Sequence, residues 1–276
     1  MDCIDRIIEN ALAEDIHTGD ITTQAVVRKK RAARAILMAK EDLILSGIDV
    51  AGRVFIMLDE KVSFSPMYQD GASILSGQTI AEVRGNAAVL LQGERVALNL
   101  LQRMSGIATL TSRYVEAVKG TRARLVDTRK TTPGLRVLEK YSVRVGGGIN
   151  HRTGLYDGVL IKENHIAAAG GITEAVRNAR EYIPHTMKIE VETETIGEVE
   201  EALAAGADII MLDNMDNASM RTAVAMIAGK VLVEASGGVN LVTVRGIAET
   251  GVDIISVGAL THSARAMDIS MILEDS

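Results

Sequence analysis

The spacing of apolar residues divides the chain into two parts with different predicted elements. In the first part, Ile4, Ile8 and Leu12 recur at helical intervals and predict a short helix near the N-terminus. Residues 32–46 then have the pattern of a strand, and residues 50–58 that of a helix. This part of the chain therefore mixes helices and strands without a regular repeat.

A hairpin-rich segment and a long helix complete the first part. The segment DGASILSGQTIAEVRGN, residues 70–86, alternates apolar and polar positions between turns that contain glycine. An apolar helix follows from Ala87, and we expect Ser105 and Gly106 to interrupt it before a second helix over residues 107–118. The sequence therefore predicts a smaller α+β N-terminal domain over residues 1–105, to which residues 264–276 return.

Strands and helices alternate regularly from residue 124 onward. The predicted strands are Leu125–Asp127, Val159–Ile161, Lys188–Val191, Ile209–Leu212, Val231–Glu234 and Ile254–Val257. The predicted helices are Pro133–Val145, Ile172–Tyr182, Ile196–Ala205, Asn217–Ile227 and Leu241–Glu249. Such alternation is typical of a parallel sheet with right-handed crossovers, curled into a β/α barrel or doubly wound. About six strands are too few for a complete eightfold barrel, so we predict an α/β fold with an incomplete, open β/α barrel over residues 106–263.

The composition limits the classes of function. A formal charge of −6 and a pI near 5.5 argue against nucleic acid as the main partner, because nucleic-acid-binding proteins usually need a broad basic surface. No apolar run approaches the roughly 20 residues that a membrane helix needs, and the acidic stretch MDCIDRIIENALAED is unlike a signal peptide. Cys3 is the only cysteine, so no internal disulfide can form. We therefore expect a cytoplasmic protein without a membrane partner.

One stretch, residues 127–165, is strongly cationic although the chain as a whole is acidic. Its basic side chains are Arg129, Lys130, Arg136, Lys140, Arg144, His151, Arg152, Lys162 and His165, against only Asp127, Glu139, Asp157 and Glu163. Arg136, Lys140 and Arg144 recur at helical spacing, which indicates a solvated helix face. The remaining cations predict a site for a small, multiply charged anion.

The predicted elements place these remaining cations at the ends of strands. Arg129 and Lys130 follow a strand and precede a helix, for which Thr132 is the expected N-cap and Pro133 the expected first residue. Backbone N–H groups at such a helix start favour anions. After a run of glycines come His151 and Arg152, and the next strand leads into Lys162. Two successive strands thus end in cationic side chains, as a binding site would require.

The exits of the later strands carry acids and glycines. Glu192 and Asp213 end neighbouring strands, and we expect them to bind ribose hydroxyls, to ligate Mg²⁺ or to stabilise a positive transition state. Glu190 shares a face with Lys188, and a buried ion pair is the expected arrangement for those two. Glycine-bearing loops after the last two strands favour a phosphate site, and their residues are Ser236, Gly237, Gly238 and Gly258.

These residues also carry a resemblance to a known family. The stretch DTRKTTPGLRVLEKYSVRVGGGINHR followed by LIKENH resembles quinolinate phosphoribosyltransferase, the carboxylating nicotinate-nucleotide pyrophosphorylase of NAD synthesis. The resemblance continues through ERVALNLLQRMSGIAT, EVETET, AGADIIMLDNM, VEASGGV and SVGALTHS, and so covers essentially the whole chain. Several long motifs in one order are far more specific than a single short motif. The resemblance implies the open barrel that the pattern of elements also predicts.

The resemblance implies a reaction and a role for each site residue. Quinolinate and 5-phosphoribosyl 1-diphosphate would react with Mg²⁺ present, giving nicotinate mononucleotide, diphosphate and CO₂. The residues that would hold the two carboxylates of quinolinate are Arg129, His151, Arg152 and Lys162, with Arg95 reaching the same pocket from the partner subunit of a homodimer or a higher homo-oligomer. Lys130, Glu192 and Asp213 would act on the diphosphate and ribose of the donor, and Ser236, Gly237, Gly238 and Gly258 would bind its 5-phosphate. Glu163 stands where the family often has Asp.

Two other functions compete with this one. A related pyrophosphorylase of the same fold, such as the one associated with molybdenum transport, would act on another substrate. The full set of cations in this chain instead favours a dicarboxylate. A non-catalytic phosphate-binding barrel would use Gly238 and Gly258 but would leave Glu192 and Asp213 without a role. The spacing of residues alone does not identify the phosphoribosyl donor, because the common phosphoribosyltransferase motif of two acids and a Thr-Thr-Gly loop is absent from the sequence.

Overall fold

Two compact units make up the computed structural model, which describes residues 3–27 and 31–274. The first unit comprises Met1–Ser112, Thr131–Gly147 and Ser263–Ser276, and the second comprises Arg113–Lys130 and Gly148–His262. The boundaries of these units differ from the predicted domains at residues 1–105 and 106–263, which remain a prediction of the sequence. No helix in the described ranges combines the length and the apolar character needed to cross a membrane.

The first unit is built on antiparallel strands. Its strands are β1 (Ala32–Ala39), β2 (Leu43–Ile44), β3 (Ser63–Pro66), β4 (Ser73–Ile74), β5 (Thr79–Asn86) and β12 (Ile269–Glu274). Four of them form a sheet in the order β12-β1-β5-β3, and β2 pairs with β4. Its helices are α1 (Cys3–Ile16), α2 (Ile21–Val26), α3 (Ile48–Leu58), α4 (Ala87–Ala117, of which the residues from Arg113 are counted with the second unit) and α5 (Arg136–Val145).

Strand β1 shows how the sheet of the first unit meets its core. Ala33, Ala35, Leu37 and Ala39 are all buried, and the residues between them are more exposed. This period of two places one face of the strand in an aliphatic core. The single strand predicted over residues 32–46 is wrong, because the chain turns at residues 40–42 and continues as the short strand β2.

Helix α4 runs without interruption through the position at which the sequence predicted a break. Gly106 lies inside the helix, and a Cβ atom there would come within 1.9 Å of the carbonyl oxygen of Arg265. The glycine is therefore needed for close packing rather than for a turn. The predicted interruption is wrong, since the packing of a long apolar face outweighs a helix propensity cost of about 1 kcal/mol.

Helix α5 begins later than predicted. Gly134 has a φ of +84°, outside the helical region, and the N-cap position falls on Leu135 instead of Thr132. Thr132 instead donates a hydrogen bond of 2.8 Å from its hydroxyl to the buried Glu139. The solvated face predicted for Arg136, Lys140 and Arg144 is wrong for Lys140, which is buried in the first unit.

The second unit is an α/β fold with a parallel sheet. Its strands are β6 (Arg124–Val126), β7 (Val159–Ile161), β8 (Ile189–Thr193), β9 (Ile209–Asp213), β10 (Leu232–Ser236) and β11 (Ile254–Ser256). They lie in the order β6-β11-β10-β9-β8-β7, all parallel. Its helices are α6 (Glu163–Ala169), α7 (Ile172–Tyr182), α8 (Ile196–Ala204), α9 (Asn217–Ile227), α10 (Val244–Ala248) and α11 (Ala259–His262).

The predicted fold class is confirmed. Every predicted strand of this region is present, and the sheet does not close into a complete barrel within the described residues. Beyond β6, a parallel bridge joins Val126 to Ile149 at the edge of the sheet. Helix α6 was not predicted, because its sequence directly follows a strand and begins with polar residues. The sheet thus positions the carboxyl ends of six parallel strands along one edge.

Candidate active site

A cavity of about 550 Å³ lies at the carboxyl ends of the parallel strands in the second unit. Its lining includes nearly all the residues that the sequence singled out in this unit: Arg129, Lys130, His151, Arg152, Lys162, Glu192, Asp213, Ser236, Gly237 and Gly238. Thr128, Leu160, Met211, Asn214, Glu234 and Ser256 complete the lining. Strand-end residues that are far apart in sequence therefore share one cavity, as expected for a parallel α/β sheet.

Four cations, Arg129, Lys130, Arg152 and Lys162, give the cavity its positive character. Arg152 donates from Nη1 to the carbonyl oxygen of Gly158 at 3.1 Å, which holds the guanidinium against the loop that follows it. Burial, and then the neighbouring charge of Arg129, lower the pKa of Arg152. Two guanidinium groups close enough to repel each other favour binding of an anion between them. Lys162 directly follows β7, and Lys130 directly follows Arg129.

Lys162 is placed by the strand-to-helix junction between β7 and α6. It is the N-cap of α6, and its backbone N–H donates to Nδ1 of His165 at 3.0 Å. The Lys162 ammonium forms an ion pair with the carboxylate of Glu192 on the neighbouring strand β8. The Lys162 side chain is 47% exposed, so the ammonium can leave this pair when an anionic ligand enters the cavity.

Two carboxylates face the same cavity from neighbouring strands. Glu192 lies near the end of β8, and Asp213 is the last residue of β9. Asp213 accepts a hydrogen bond of 2.7 Å from Nδ2 of Asn214, whose φ of +54° lies in the left-handed region. Asn214 was not among the predicted site residues, although its position directly after a strand-ending acid was a signal for it.

The loop after β10 requires glycine at one position for space and at the next for conformation. Gly237 has a φ of +88°, and a Cβ atom there would lie 2.2 Å from Oδ1 of Asn214. Gly238 has a φ of +60°, and a Cβ atom there would meet nothing within 4 Å. The loop therefore packs tightly on the exit of β9 while its second glycine faces open space, where a ligand can approach the backbone.

Gly258 lies outside the lining of the cavity but beside one of its cations. A Cβ atom at Gly258 would lie 3.1 Å from Cδ of Lys130 and 3.1 Å from Nε2 of His262. The backbone carbonyl of Lys130 accepts a hydrogen bond of 2.8 Å from the hydroxyl of Thr261. The turn after β11 thus packs against Lys130, and a larger residue at Gly258 would displace its side chain.

His151 lies above a pair of buried acids. Its Nε2 is 3.0 Å from Oε2 of Glu190 and 3.7 Å from Oε1 of Glu234, and both acids are buried. Its Nδ1 accepts a hydrogen bond of 2.8 Å from the backbone N–H of Arg152. Burial, and then the proximity of Glu190, raise the pKa of Glu234 to about 8. His151 lines the cavity, while its ring nitrogens contact protein groups.

The backbone around His151 is fixed by a third buried acid. Asp127, at the end of β6, accepts a hydrogen bond of 2.9 Å from the backbone N–H of His151 and another of 2.5 Å from Nδ2 of Asn150. Asp127 is fully buried, and buried carboxylates are costly unless such donors satisfy them. The segment that carries His151 and Arg152 is therefore anchored to the sheet.

The sequence did not predict that Glu190 and Glu234 lie next to His151, and it predicted the wrong partner for Glu190. The predicted ion pair between Glu190 and Lys188 is wrong, because Lys188 instead lies 3.7 Å from Asp208 on the surface. Glu234 was not considered, although it alternates with Ser236 on β10 and so shares its inward face. Glu190 and Glu234 also line a second cavity of about 470 Å³ in the same unit.

Arg95 belongs to the first unit. It is exposed on α4, and its guanidinium has no hydrogen-bond or ion-pair partner among residues 3–27 and 31–274. Its neighbours Val96, Leu98 and Leu101 are buried and form the core face of the helix. Arg95 is therefore available to a ligand or to another chain, and the surface ion pair that a helical neighbour would offer is not formed.

Comparisons with known families identify both parts of the chain. The family described as quinolinate phosphoribosyl transferase, N-terminal domain, matches residues 20–105. The family described as quinolinate phosphoribosyl transferase, C-terminal domain, matches residues 107–272. The two matches follow one another directly and cover most of the chain.

Similar proteins have the same description. The probable carboxylating nicotinate-nucleotide pyrophosphorylase of Bacillus subtilis (strain 168) is 47% identical over 266 residues, which cover 96% of this chain and 92% of that protein. The carboxylating nicotinate-nucleotide pyrophosphorylase of Mycobacterium leprae (strain TN) is 44% identical over 273 residues, 96% of this chain and 95% of that one. The solved structure of the nicotinate-nucleotide pyrophosphorylase from Francisella tularensis superimposes with a TM-score of 0.95 at 42% identity, over 99% of this chain and 96% of that chain.

Proposed function

This chain belongs to the quinolinate phosphoribosyltransferase family, and we propose that its cavity catalyses the reaction of that family in NAD biosynthesis. The phosphoribosyl group of 5-phosphoribosyl 1-diphosphate is transferred to the ring nitrogen of quinolinate. Diphosphate leaves C1 of the ribose, and the carboxylate next to the ring nitrogen leaves as CO₂. The product is nicotinate mononucleotide.

The observation that carries this proposal is the concentration of cations in the lining of the cavity. Arg129, Arg152 and Lys162 line this cavity together. Quinolinate carries two neighbouring carboxylates, for which guanidinium and ammonium groups are suitable donors. We assign these three side chains to the two carboxylates.

The same cations lower the barrier to bringing two anions together. Quinolinate and the donor are both negatively charged and repel each other in water, so a pocket that binds both must offset this repulsion. Loss of CO₂ leaves an electron pair on the ring carbon beside the nitrogen, which a proton then takes. The ring nitrogen is positive after transfer and stabilises this electron pair directly. Fixed positive groups and exclusion of water therefore contribute more than a general base would.

We assign the donor to other polar residues of the same cavity. Lys130, Glu192 and Asp213 would contact its diphosphate and ribose, and Ser236, Gly237 and Gly238 would bind its 5-phosphate, with Gly258 keeping Lys130 in place. The left-handed glycines support this assignment, because a Cβ atom at Gly238 would meet nothing within 4 Å, so a phosphate could approach the backbone there.

We further propose that Glu192 and Asp213 bind Mg²⁺ together with the diphosphate. Their oxygens suit this ion, which is usually held by one or two carboxylates, substrate phosphates and water. Both carboxylates line the cavity, and Asn214 orients one of them. When bound, the ion would neutralise part of the charge of the departing diphosphate.

Quinolinate titration tests the proposal at the level of binding. Calorimetry with quinolinate, with nicotinate and with the donor should show that the dicarboxylate binds at least about tenfold more tightly than the monocarboxylate, since one charge-assisted contact is lost. Equal affinity for nicotinate and quinolinate would contradict the assignment of the cations. Binding of the donor without quinolinate binding would instead indicate a related pyrophosphorylase with another substrate.

We also propose a homodimer in which Arg95 reaches the site of the partner subunit. The exposed position of Arg95 without an intramolecular partner supports this proposal. Mixing an inactive Arg95→Ala chain with an inactive Lys162→Ala chain should restore activity once subunits exchange, because one site in each heterodimer receives both wild-type residues. No recovery after demonstrated exchange would place Arg95 in its own chain's site or outside any site. We expect this enzyme to act in the cytoplasm.

A further inference from the structure

Both ring nitrogens of His151 contact protein groups, and together these contacts fix where its proton lies. Nδ1 accepts a hydrogen bond from the backbone N–H of Arg152 at 2.8 Å. A backbone N–H can only donate, so Nδ1 carries no proton. Nε2 must then hold the proton of the neutral ring and donate it to Oε2 of Glu190, 3.0 Å away. His151 is therefore a neutral imidazole whose ring has a defined orientation.

This proton position argues against a metal site at the same cluster. One ligand atom each of His151, Glu190 and Glu234 lie within 4.8 Å of one another, an arrangement that could hold a metal ion. One carboxyl oxygen of each acid also lacks a hydrogen-bond partner among the described residues. A metal would need the lone pair of Nε2, however, and that nitrogen carries the proton whenever Nδ1 accepts from Arg152. The cluster is better suited to orienting the ring than to binding a cation.

The orientation of the ring is transmitted to Arg152. The acceptor at Nδ1 fixes the backbone N–H of Arg152, and the guanidinium of the same residue donates from Nη1 to Gly158 at 3.1 Å. Arg152 is thus held at both ends. Glu190 does not line the cavity at the strand ends, so it has no direct route to a ligand there. Its effect on the cavity passes through His151.

We propose that Glu190 is a positioning residue for quinolinate binding. Its carboxyl oxygen holds the Nε2–H form of His151, which in turn holds Arg152 in the geometry that receives a carboxylate of the substrate. Glu234, at 3.7 Å from Nε2, lies beyond hydrogen-bond distance and does not replace it. This inference rests on the proposed function, since it names the substrate that Arg152 receives. It assigns His151 a different role from direct contact with quinolinate.

Two substitutions at Glu190 separate the hydrogen bond from the charge. Glu190→Gln retains an oxygen that accepts from Nε2, whereas Glu190→Leu removes the acceptor at similar size. We expect Glu190→Leu to raise the KM for quinolinate about tenfold and to leave the KM for the donor within about twofold. Glu190→Gln should restore the KM for quinolinate to within about threefold of wild type. Equal loss in both variants, or a folded Glu190→Leu chain with wild-type KM values, would overturn the proposal.

The protonation state of His151 can be measured without an activity assay. Nitrogen-15 spectra of histidine-labelled protein, with the His151 signals identified from a His151→Gln chain, should show a protonated Nε2 and an unprotonated Nδ1. Glu190→Gln should keep this pattern and Glu190→Leu should lose it. A protonated Nδ1 in the wild-type chain would overturn the proposal even if Glu190→Leu failed to fold. Inactive wild-type protein with the expected spectrum would contradict the proposed reaction, not the orientation of His151.

Discussion

Glu190 and Glu192 share one face of β8, yet their surroundings are opposite in kind. Glu192 faces the cavity and forms an ion pair with Lys162, whose side chain is 47% exposed. Glu190 lies beneath the cavity, where its side chain is 5% exposed, and it contacts His151, whose other ring nitrogen is also engaged. We call the first group, Glu192, Lys162 and the other residues that line the cavity except His151 and Glu234, the upper layer. The second group, Glu190, Glu234 and the ring of His151, is the lower layer.

The two layers differ in the free energy that is needed to change a hydrogen-bond or ion-pair partner. Exposed ion pairs contribute little, so Lys162 can exchange Glu192 for an anionic ligand at small cost. A buried polar group that loses its partner costs about 1–3 kcal/mol, so the lower layer holds one arrangement. We therefore expect substitutions in the upper layer to change ligand binding, and substitutions in the lower layer to change geometry and stability.

The largest effect is expected from the cations of the upper layer. Lys162→Ala or Arg129→Ala should lower kcat/KM for quinolinate by more than about a hundredfold, because each removes a charge-assisted contact with a carboxylate and a stabilising charge during turnover. The fold should be unchanged, as circular dichroism and thermal melting would show. Steady-state kinetics at saturating donor measures the loss.

A surface lysine provides the control for this prediction. Lys119 pairs with Glu116 at 3.2 Å on the surface of the second unit, with both side chains largely exposed. Lys119→Ala removes a comparable ion pair away from the cavity and should leave kcat/KM within about twofold. Near-wild-type affinity for quinolinate in Lys162→Ala and Arg129→Ala would remove both residues from the binding pocket.

The acids of the upper layer should affect the donor more than quinolinate. Glu192→Gln and Asp213→Asn should each lower kcat/KM for the donor by roughly ten- to hundredfold at limiting Mg²⁺, because a neutral amide is a poorer ligand for the ion and for ribose hydroxyls. Initial rates over a range of donor and Mg²⁺ concentrations measure this effect. The matched control is Glu194→Gln, an exposed acid just past the end of the same strand. Full activity of Glu192→Gln at limiting donor would show that the assignment is wrong for that residue.

The lower layer should make folding stability depend on pH through Glu234. The pKa of Glu234 is raised from 4.5 to about 8 in the folded protein, chiefly by burial. A raised pKa means that the folded state holds the proton more tightly than the unfolded state does. The stability that this proton contributes is fully present below about pH 4.5 and is lost as the pH rises through about 8. Within this window the free energy of unfolding should fall by up to about 1.4 kcal/mol per pH unit from this group.

Glu234→Gln isolates the contribution of that proton. The neutral amide resembles the protonated acid at every pH, so the stability of the variant relative to wild type should rise by about 2 kcal/mol between pH 6 and 7.5. Urea unfolding at a series of pH values measures the difference. Glu194→Gln is the control, and its stability relative to wild type should not change with pH. Parallel stability profiles for Glu234→Gln and wild type would show that Glu234 does not retain its proton in the folded state.

The smallest effect is expected in the glycine loop at the rim of the upper layer. Gly238→Ala adds only the strain of a left-handed conformation, about 1 kcal/mol, since nothing lies within 4 Å of the new methyl group. Gly237→Ala adds the same strain and a collision with Asn214, so it should destabilise the chain by more. Urea unfolding of both variants tests this order. Equal destabilisation would indicate that the loop moves freely away from Asn214.

Much of the upper layer could be predicted from the sequence, because its geometry follows from simple rules. Parallel strands bring their carboxyl ends to one edge, so residues such as Arg129, Lys162 and Asp213 were expected to meet once the strands were recognised. The alternation of strands and helices was also sufficient to predict an open α/β sheet. These rules depend only on the order of the elements along the chain.

The lower layer could not be predicted, because its contacts depend on packing. Nothing local in the sequence of β8 shows that Glu190 meets His151 rather than Lys188, since both partners are compatible with alternation. Glu234 has the same signal as any inward residue of a strand. The continuous path of α4 through Gly106 was missed for a similar reason, because the close approach of Arg265 is a long-range contact.

Release of labelled CO₂ tests the central claim most directly. Quinolinate labelled in the carboxylate beside the ring nitrogen is mixed with the wild-type chain, Mg²⁺ and 5-phosphoribosyl 1-diphosphate, and gas and nucleotide are measured together. We predict one labelled CO₂ for each nicotinate mononucleotide formed, and no release when the donor is omitted. A nucleotide that retains the label, or an active preparation that uses the donor with another acid but not with quinolinate, would contradict the account.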